Sequence, residues 1–111
     1  MVDGVADIVA RKIELLETMT REFTSTAANL AREIAIEEER TRIKDPAHVA
    51  YSTLAKALAV RRSNLLMSAA DVEARLLDAR RDLDEANARA AAIARTTENV
   101  GQASSPAPRA A

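Results

Sequence analysis

Two stretches of the chain hold the residue types from which catalytic and metal sites are built. One contains the only histidine, His48, and the other is the acidic run IEEER at residues 36–40. His48 has no second histidine, cysteine or nucleophile at a motif spacing, so we interpret it as a solvated or capping residue in the first turn of a helix. Helical dimetal sites need Glu-x-x-His with inward-facing side chains, which the acidic run does not provide. We interpret that run as a solvated face with salt pairs.

Composition narrows the function classes further. The chain has 111 residues, with one phenylalanine, one tyrosine, no tryptophan and no cysteine, which leaves little bulk for a globular core and no thiol chemistry. Its 16 basic and 17 acidic residues give a formal net charge of -1, so no long-range field attracts nucleic acid. We predict no catalytic, cofactor-binding or metal-binding residue, no cofactor, no nucleic-acid partner, and a protein that is not an enzyme.

Glycine and proline divide the chain into long segments without helix breakers. Glycine occurs only at Gly4 and Gly101, and Pro46 is the only proline before the C-terminal tail. The segments on either side of Pro46 are rich in Ala, Leu, Arg and Glu, which favour helix. Because Pro46 cannot donate a helical hydrogen bond and Asp45 can cap the helix that follows, the sequence predicts two helices joined at this point.

So short a connection sends the second helix back along the first, which predicts an all-α fold, an antiparallel two-helix coiled-coil hairpin. The predicted elements are helix one at about 5–43, a joint at 44–46 that includes Asp45 and Pro46, helix two at about 46–98 and, after the hairpin of residues 1–100, a disordered tail at 101–111.

Apolar residues recur along both helices in alternating steps of three and four, which is the pattern of a coiled-coil seam. The seam of helix one has a polar end at Glu37, and only Arg62 interrupts the seam of helix two before Thr97. The predicted seams are Ala6, Val9, Ile13, Leu16, Thr20, Phe23, Ala27, Leu30, Ile34 and Glu37 in helix one, and Tyr51, Ala55, Leu58, Arg62, Leu65, Ala69, Val72, Leu76, Ala79, Leu83, Ala86, Ala90, Ile93, Thr97 and Val100 in helix two.

Two arginine pairs are the strongest basic features. Arg62 lies on the seam, and two interpretations are open: its stem follows the seam with its head in water, or it acts with Arg61 and Asn64 to fix the register or meet an acidic partner. The second pair, at residues 80–81, stands among aspartates with no aromatic residue nearby. That setting argues against base stacking and nucleic-acid binding.

Helix two is longer than helix one, so part of its seam lacks a partner in the hairpin. With a turn centred at residues 44–45, residue 6 lies opposite about residue 83. An unpaired seam is a candidate binding surface for a partner helix. The predicted partner-binding residues on this overhang are Ala86, Ala90 and Ile93.

A smaller stripe lies on helix two outside the main seam and could pack on a third helix. Its members are Ala59, Leu66, Ala70 and Leu77. If Leu66 and Leu77 contact a second copy, the protein is a homo-oligomer, which gives one function hypothesis: a general self-associating coiled-coil adaptor.

The stretch EIAIEEERTRIKDPAHVAYSTLAKALAVRRSNLLMSAADVEARL, residues 33–76, resembles the flagellar export protein FliJ of alphaproteobacteria. The similar features are the acidic helix end EEERT, the DPAHVAY joint, the AKA step, and RRSNLL fifteen residues after Pro46. The resemblance covers about 45 residues firmly and extends more loosely over residues 11–83. The chain departs from the family in its short first helix and in its tail of small residues and proline.

The resemblance implies a non-enzymatic coiled-coil component of flagellar type III protein export. In that family an antiparallel two-helix coiled coil, similar to the central stalk of rotary ATP synthases, docks in the hexameric export ATPase and contacts the export gate and substrate chaperones. We expect a cytoplasmic protein peripheral to the flagellar base, without direct membrane insertion. No N-terminal signal pattern and no apolar run near 18 residues occurs in the sequence.

Overall fold

A computed structural model describes the backbone of residues 3–104 and the side-chain surroundings of residues 4–100. It contains two long helices, α1 (Asp3–Thr41) and α2 (Thr53–Ser104), and no strand among the described residues. The helices lie side by side in opposite directions, and the molecule measures 100 × 18 × 15 Å. The predicted all-α helical hairpin is therefore confirmed.

The joint occupies residues 42–52, so the prediction that helix two begins at Pro46 is wrong. Asp45 does accept a hydrogen bond two residues ahead, from the Ala47 amide to Oδ1 at 2.9 Å, but the chain then forms a turn in which the His48 amide donates to the Asp45 carbonyl. A second turn follows, because His48 Nδ1 accepts from the amide of Ala50 at 3.0 Å. These local side-chain bonds compete with the helix and delay its start.

Both helix ends at the joint have an identifiable physical cause. Ser52 Oγ accepts from the Ala55 amide at 3.1 Å and caps the first turn of α2. At the other side, Arg42 has a φ of 63°, the left-handed conformation that commonly terminates a helix. The first helix thus ends at Thr41, close to the predicted Ile43.

The core is a single layer between the two helices, built from the residues of the predicted seams. Phe23 is half-buried against this layer, and Tyr51 closes it at the joint end with 6% exposure. Small side chains at many seam positions let the helices approach closely. The buried apolar residues are Ile13, Leu16, Ala27, Leu30, Tyr51, Ala55, Ala69, Val72, Leu76 and Ala79.

The longer joint shifts the register of the two helices. Arg80 lies 3.9 Å from Glu17, whereas a turn centred at residues 44–45 would place residue 72 opposite Glu17. Val5 and Ala6 accordingly lie beside residues 86–93 of α2. The predicted overhang therefore begins about two helical turns too early.

The second helix also runs farther than predicted, to Ser104 instead of residue 98. The first four residues of the predicted disordered tail are thus helical. The rest of that tail, residues 105–111, lies outside the described residues.

Candidate functional site

No group of three or more His, Cys, Asp or Glu side chains is arranged to hold a metal ion within residues 4–100. His48 is exposed, and its ring nitrogen accepts from the Ala50 amide. It lies in the joint, not in the first turn of a helix as predicted. The bond gives His48 a role in shaping the joint.

Tyr51 links the joint to α1. Its hydroxyl donates to Glu38 Oε2 at 2.7 Å, and its ring is buried. The hydrogen bond to the carboxylate raises the pKa of Tyr51 above its ordinary value of 10.0, and burial and the negative charge of Glu38 act in the same direction. The phenol therefore stays protonated at neutral pH and holds the joint against α1.

The acidic run IEEER is not uniformly solvated. Glu37 is only 6% exposed, which corrects its assignment to a solvated face. Its carboxylate pairs with the guanidinium of Arg40 three residues later. Glu39 fits the original interpretation, since it is exposed and lies 3.6 Å from Lys44 Nζ. The two side chains differ in exposure because of their positions on the helix: Glu37 lies on the seam and Glu39 lies on the outer surface.

Arg61, Arg62 and Asn64 are all exposed on the middle of α2. Among the described side chains, no ion pair involves either arginine. The side chain of Arg62 is therefore not buried in the seam, and the three side chains lie on one accessible stretch. Their role in binding a partner stays a prediction.

The stripe outside the seam is also accessible. Leu77 is 61% exposed and Leu66 is 39% exposed. Leu66 is the better covered of the two. Both leucines are exposed on α2, and their binding role stays a prediction.

The free end of the rod differs from its prediction. Ala86 and Ala90 are half-buried beside Val5 and Ala6, where a groove of about 170 Å³ lies between the helices. Ile93 borders the same groove and is 56% exposed. Residues 91–100 are all exposed. The available part of the seam therefore starts at Ile93, and Ala86 and Ala90 are only its partly covered edge.

A second groove, at the joint end, was missed by the sequence reasoning. It lies between Ile36 of α1 and Leu54 of α2, both of which are exposed. A signal for it was present, since Ile8, Leu15 and Ile36 are separated by multiples of seven residues and share one line of the helix. Only the fold, however, places Leu54 beside that line.

The fold defines a class of protein: an elongated antiparallel hairpin of two long helices, with exposed apolar side chains along its surface. Comparisons with models of protein families, with curated proteins and with solved structures found no match. Neither helix, as far as its residues are described, is long and apolar enough to cross a membrane.

Proposed function

We propose that this protein is a non-enzymatic coiled-coil component of flagellar type III protein export. It acts as a rod in the cytoplasm at the flagellar base and contacts the export ATPase, the export gate or chaperones. The mechanism is contact between helices, without catalysis. The resemblance of residues 33–76 to the FliJ family supplies this setting.

One structural observation carries the proposal. The second helix continues past the described start of α1, and the seam residue Ile93 remains 56% exposed where that overhang begins. An incoming helix can take the place that α1 occupies elsewhere along the seam and extend the coiled coil. The alanines on its edge, Ala86 and Ala90, allow such a helix to approach closely.

The test is a pull-down of the tagged protein from its own cells, with the export ATPase as the named target. We expect Ile93→Asp to abolish recovery of the ATPase or the gate, because a carboxylate would be buried at the centre of the contact. Val60→Asp is the matched control, since Val60 is 62% exposed and lies away from the free end. Circular dichroism should show unchanged helicity in both variants.

Recovery of the ATPase with Ile93→Asp at the wild-type level contradicts this assignment. An equal loss of helicity and recovery in Ile93→Asp also contradicts it, because the residue would then serve the hairpin itself.

The second candidate function is a self-associating coiled-coil adaptor. The exposure of Leu66 and Leu77 on one stripe of α2 favours it. In that case sedimentation should show concentration-dependent association that Leu77→Asp removes and Ile93→Asp does not.

A further inference from the structure

An apolar groove at the joint end of the rod contains the only buried charged side chain among the described residues. Its volume is about 340 Å³. Ile36 and Leu54 are 69% and 56% exposed, and Leu58 is half-buried between the helices. We call this the joint groove, and its lining residues are Glu33, Ile36, Glu37, Arg40, Leu54 and Leu58.

The buried charge is the carboxylate of Glu37. Its side chain is 7% exposed, while the side chain of Arg40, its ion-pair partner, is 70% exposed. A carboxylate can accept about four hydrogen bonds, and within the described residues only Arg40 donates to this one. An apolar residue at a seam position would serve the hairpin's stability as well or better. Stability alone therefore does not account for Glu37.

We propose that the joint groove binds an amphipathic helix of a partner protein, which places leucine-type side chains on Ile36 and Leu54 and directs a lysine or arginine to Glu37. The inference does not depend on the export function. Its occupant is cationic because the lining holds two carboxylates and one guanidinium. Since Arg40 is exposed, it can turn into water and leave Glu37 to the incoming cation.

The shape of the groove favours a helix as the occupant. Two parallel walls of helical side chains accept apolar anchors spaced three and four residues apart. A lysine or arginine on such a helix can lay its stem along Leu54 and Leu58 and extend its charged head to the carboxylate. The Coulombic attraction between the two charges would be stronger in the groove than at the exposed surface, because less water screens it.

The experiment uses the full chain and two synthetic helical peptides with identical leucine spacing. The polar face of one peptide carries lysine, and that of the other carries glutamate. Fluorescence anisotropy of the labelled peptides gives the affinities, and amide chemical shifts of the isotope-labelled protein locate the contact. We expect the lysine peptide to bind at least about tenfold more tightly than the glutamate peptide. The shifts should change at residues 33–40 and 54–58.

Two variants test the two halves of the groove. We expect Leu54→Asp to abolish binding of the lysine peptide, and Glu37→Gln to weaken it about tenfold by removing one charge-assisted hydrogen bond while keeping the side-chain shape. Met67→Asp is the control, because Met67 is a similarly exposed apolar residue, at 68%, on another part of α2. Its affinity should equal that of the wild type.

Several results would overturn the proposal. They are equal binding of both peptides, absence of binding by the lysine peptide, the same loss in Met67→Asp as in Leu54→Asp, or shift changes confined to the free end. Self-association through the groove, detected as concentration-dependent sedimentation that Leu54→Asp removes, would assign the groove to a second copy of the chain and equally overturn it. The pull-down with Ile93→Asp tests the export proposal separately. If it fails, the peptide experiment still decides whether the joint groove binds a cationic helix.

Discussion

Tyr51 shows how one side chain can secure the joint end of a long rod. It is buried at the last layer of the core and donates to Glu38, thirteen residues earlier on α1. The bond joins the joint to the first helix at a place where the neighbouring residues 42–50 are mostly exposed. Removal of the hydroxyl should therefore loosen this end without emptying the core.

We expect Tyr51→Phe to lower the free energy of unfolding at neutral pH. The pKa of Tyr51 is raised in the folded state, so the stability from its protonated hydroxyl is fully present below the unfolded pKa of about 10 and is lost as the pH rises through the folded pKa. Urea unfolding of the wild type and of Tyr51→Phe between pH 7 and 11 measures the difference in their free energies of unfolding.

The difference between wild type and Tyr51→Phe should be constant up to about pH 9 and shrink above pH 10. A difference that grows at high pH would contradict the hydrogen-bond interpretation. So would identical stability of the two proteins at pH 7.

At the scale of elements, the start of α2 depends on a cap. The Ser52 hydroxyl accepts from the Ala55 amide, one of the donors that a helix leaves without an internal partner. The turns at Asp45 and His48 precede this cap in the chain. The cap thus decides where the second helix begins.

We expect Ser52→Ala to destabilise the hairpin by about 1 kcal/mol, the usual cost of removing a helix N-cap. The matched control is Thr53→Ala at the next position, which is exposed and should change the stability by less than about 0.5 kcal/mol. Thermal unfolding followed by circular dichroism gives both values. Equal effects of the two substitutions would show that Ser52 does not cap the helix.

At the scale of the whole molecule, the rod is held by one thin layer of contacts along its length. The largest buried cluster includes Ile13 and Leu16 from α1 and Val72, Leu76 and Ala79 from α2. Because the whole rod is only 18 × 15 Å in cross-section, the described residues form no second layer that could support it. A defect in this cluster should therefore affect both helices together.

Leu76→Ala should lower the free energy of unfolding by about 2 to 4 kcal/mol, the range for a buried leucine. Its neighbour Leu77 is 61% exposed, against 7% for Leu76, so Leu77→Ala should cost less than about 0.5 kcal/mol. Urea unfolding at low protein concentration compares the two. Similar losses would mean that the seam is rotated by one residue from the register described above.

The sequence by itself determined the two helices, their antiparallel pairing and the stripe of each helix that faces the other. These follow from local causes: the absence of breakers on either side of Pro46, and apolar side chains in steps of three and four that must be buried on one stripe. Leu16 and Val72 were placed on the seam in this way, and both are buried. The exposure of Leu77 likewise follows from its position off the seam.

Only the tertiary structure decided the register of the helices, and with it the surfaces. The joint spans residues 42–52 because the side chains of Asp45 and His48 accept hydrogen bonds from backbone amides in turns. These turns compete with the helical conformation, and the two are too close in energy for residue types alone to predict which one forms. That extra length covers Ala86 and Ala90 and leaves Ile93 at the edge. The burial of Glu37 and the groove between Ile36 and Leu54 likewise arise only when the two helices meet, because a groove belongs to a pair of elements and to neither sequence segment alone.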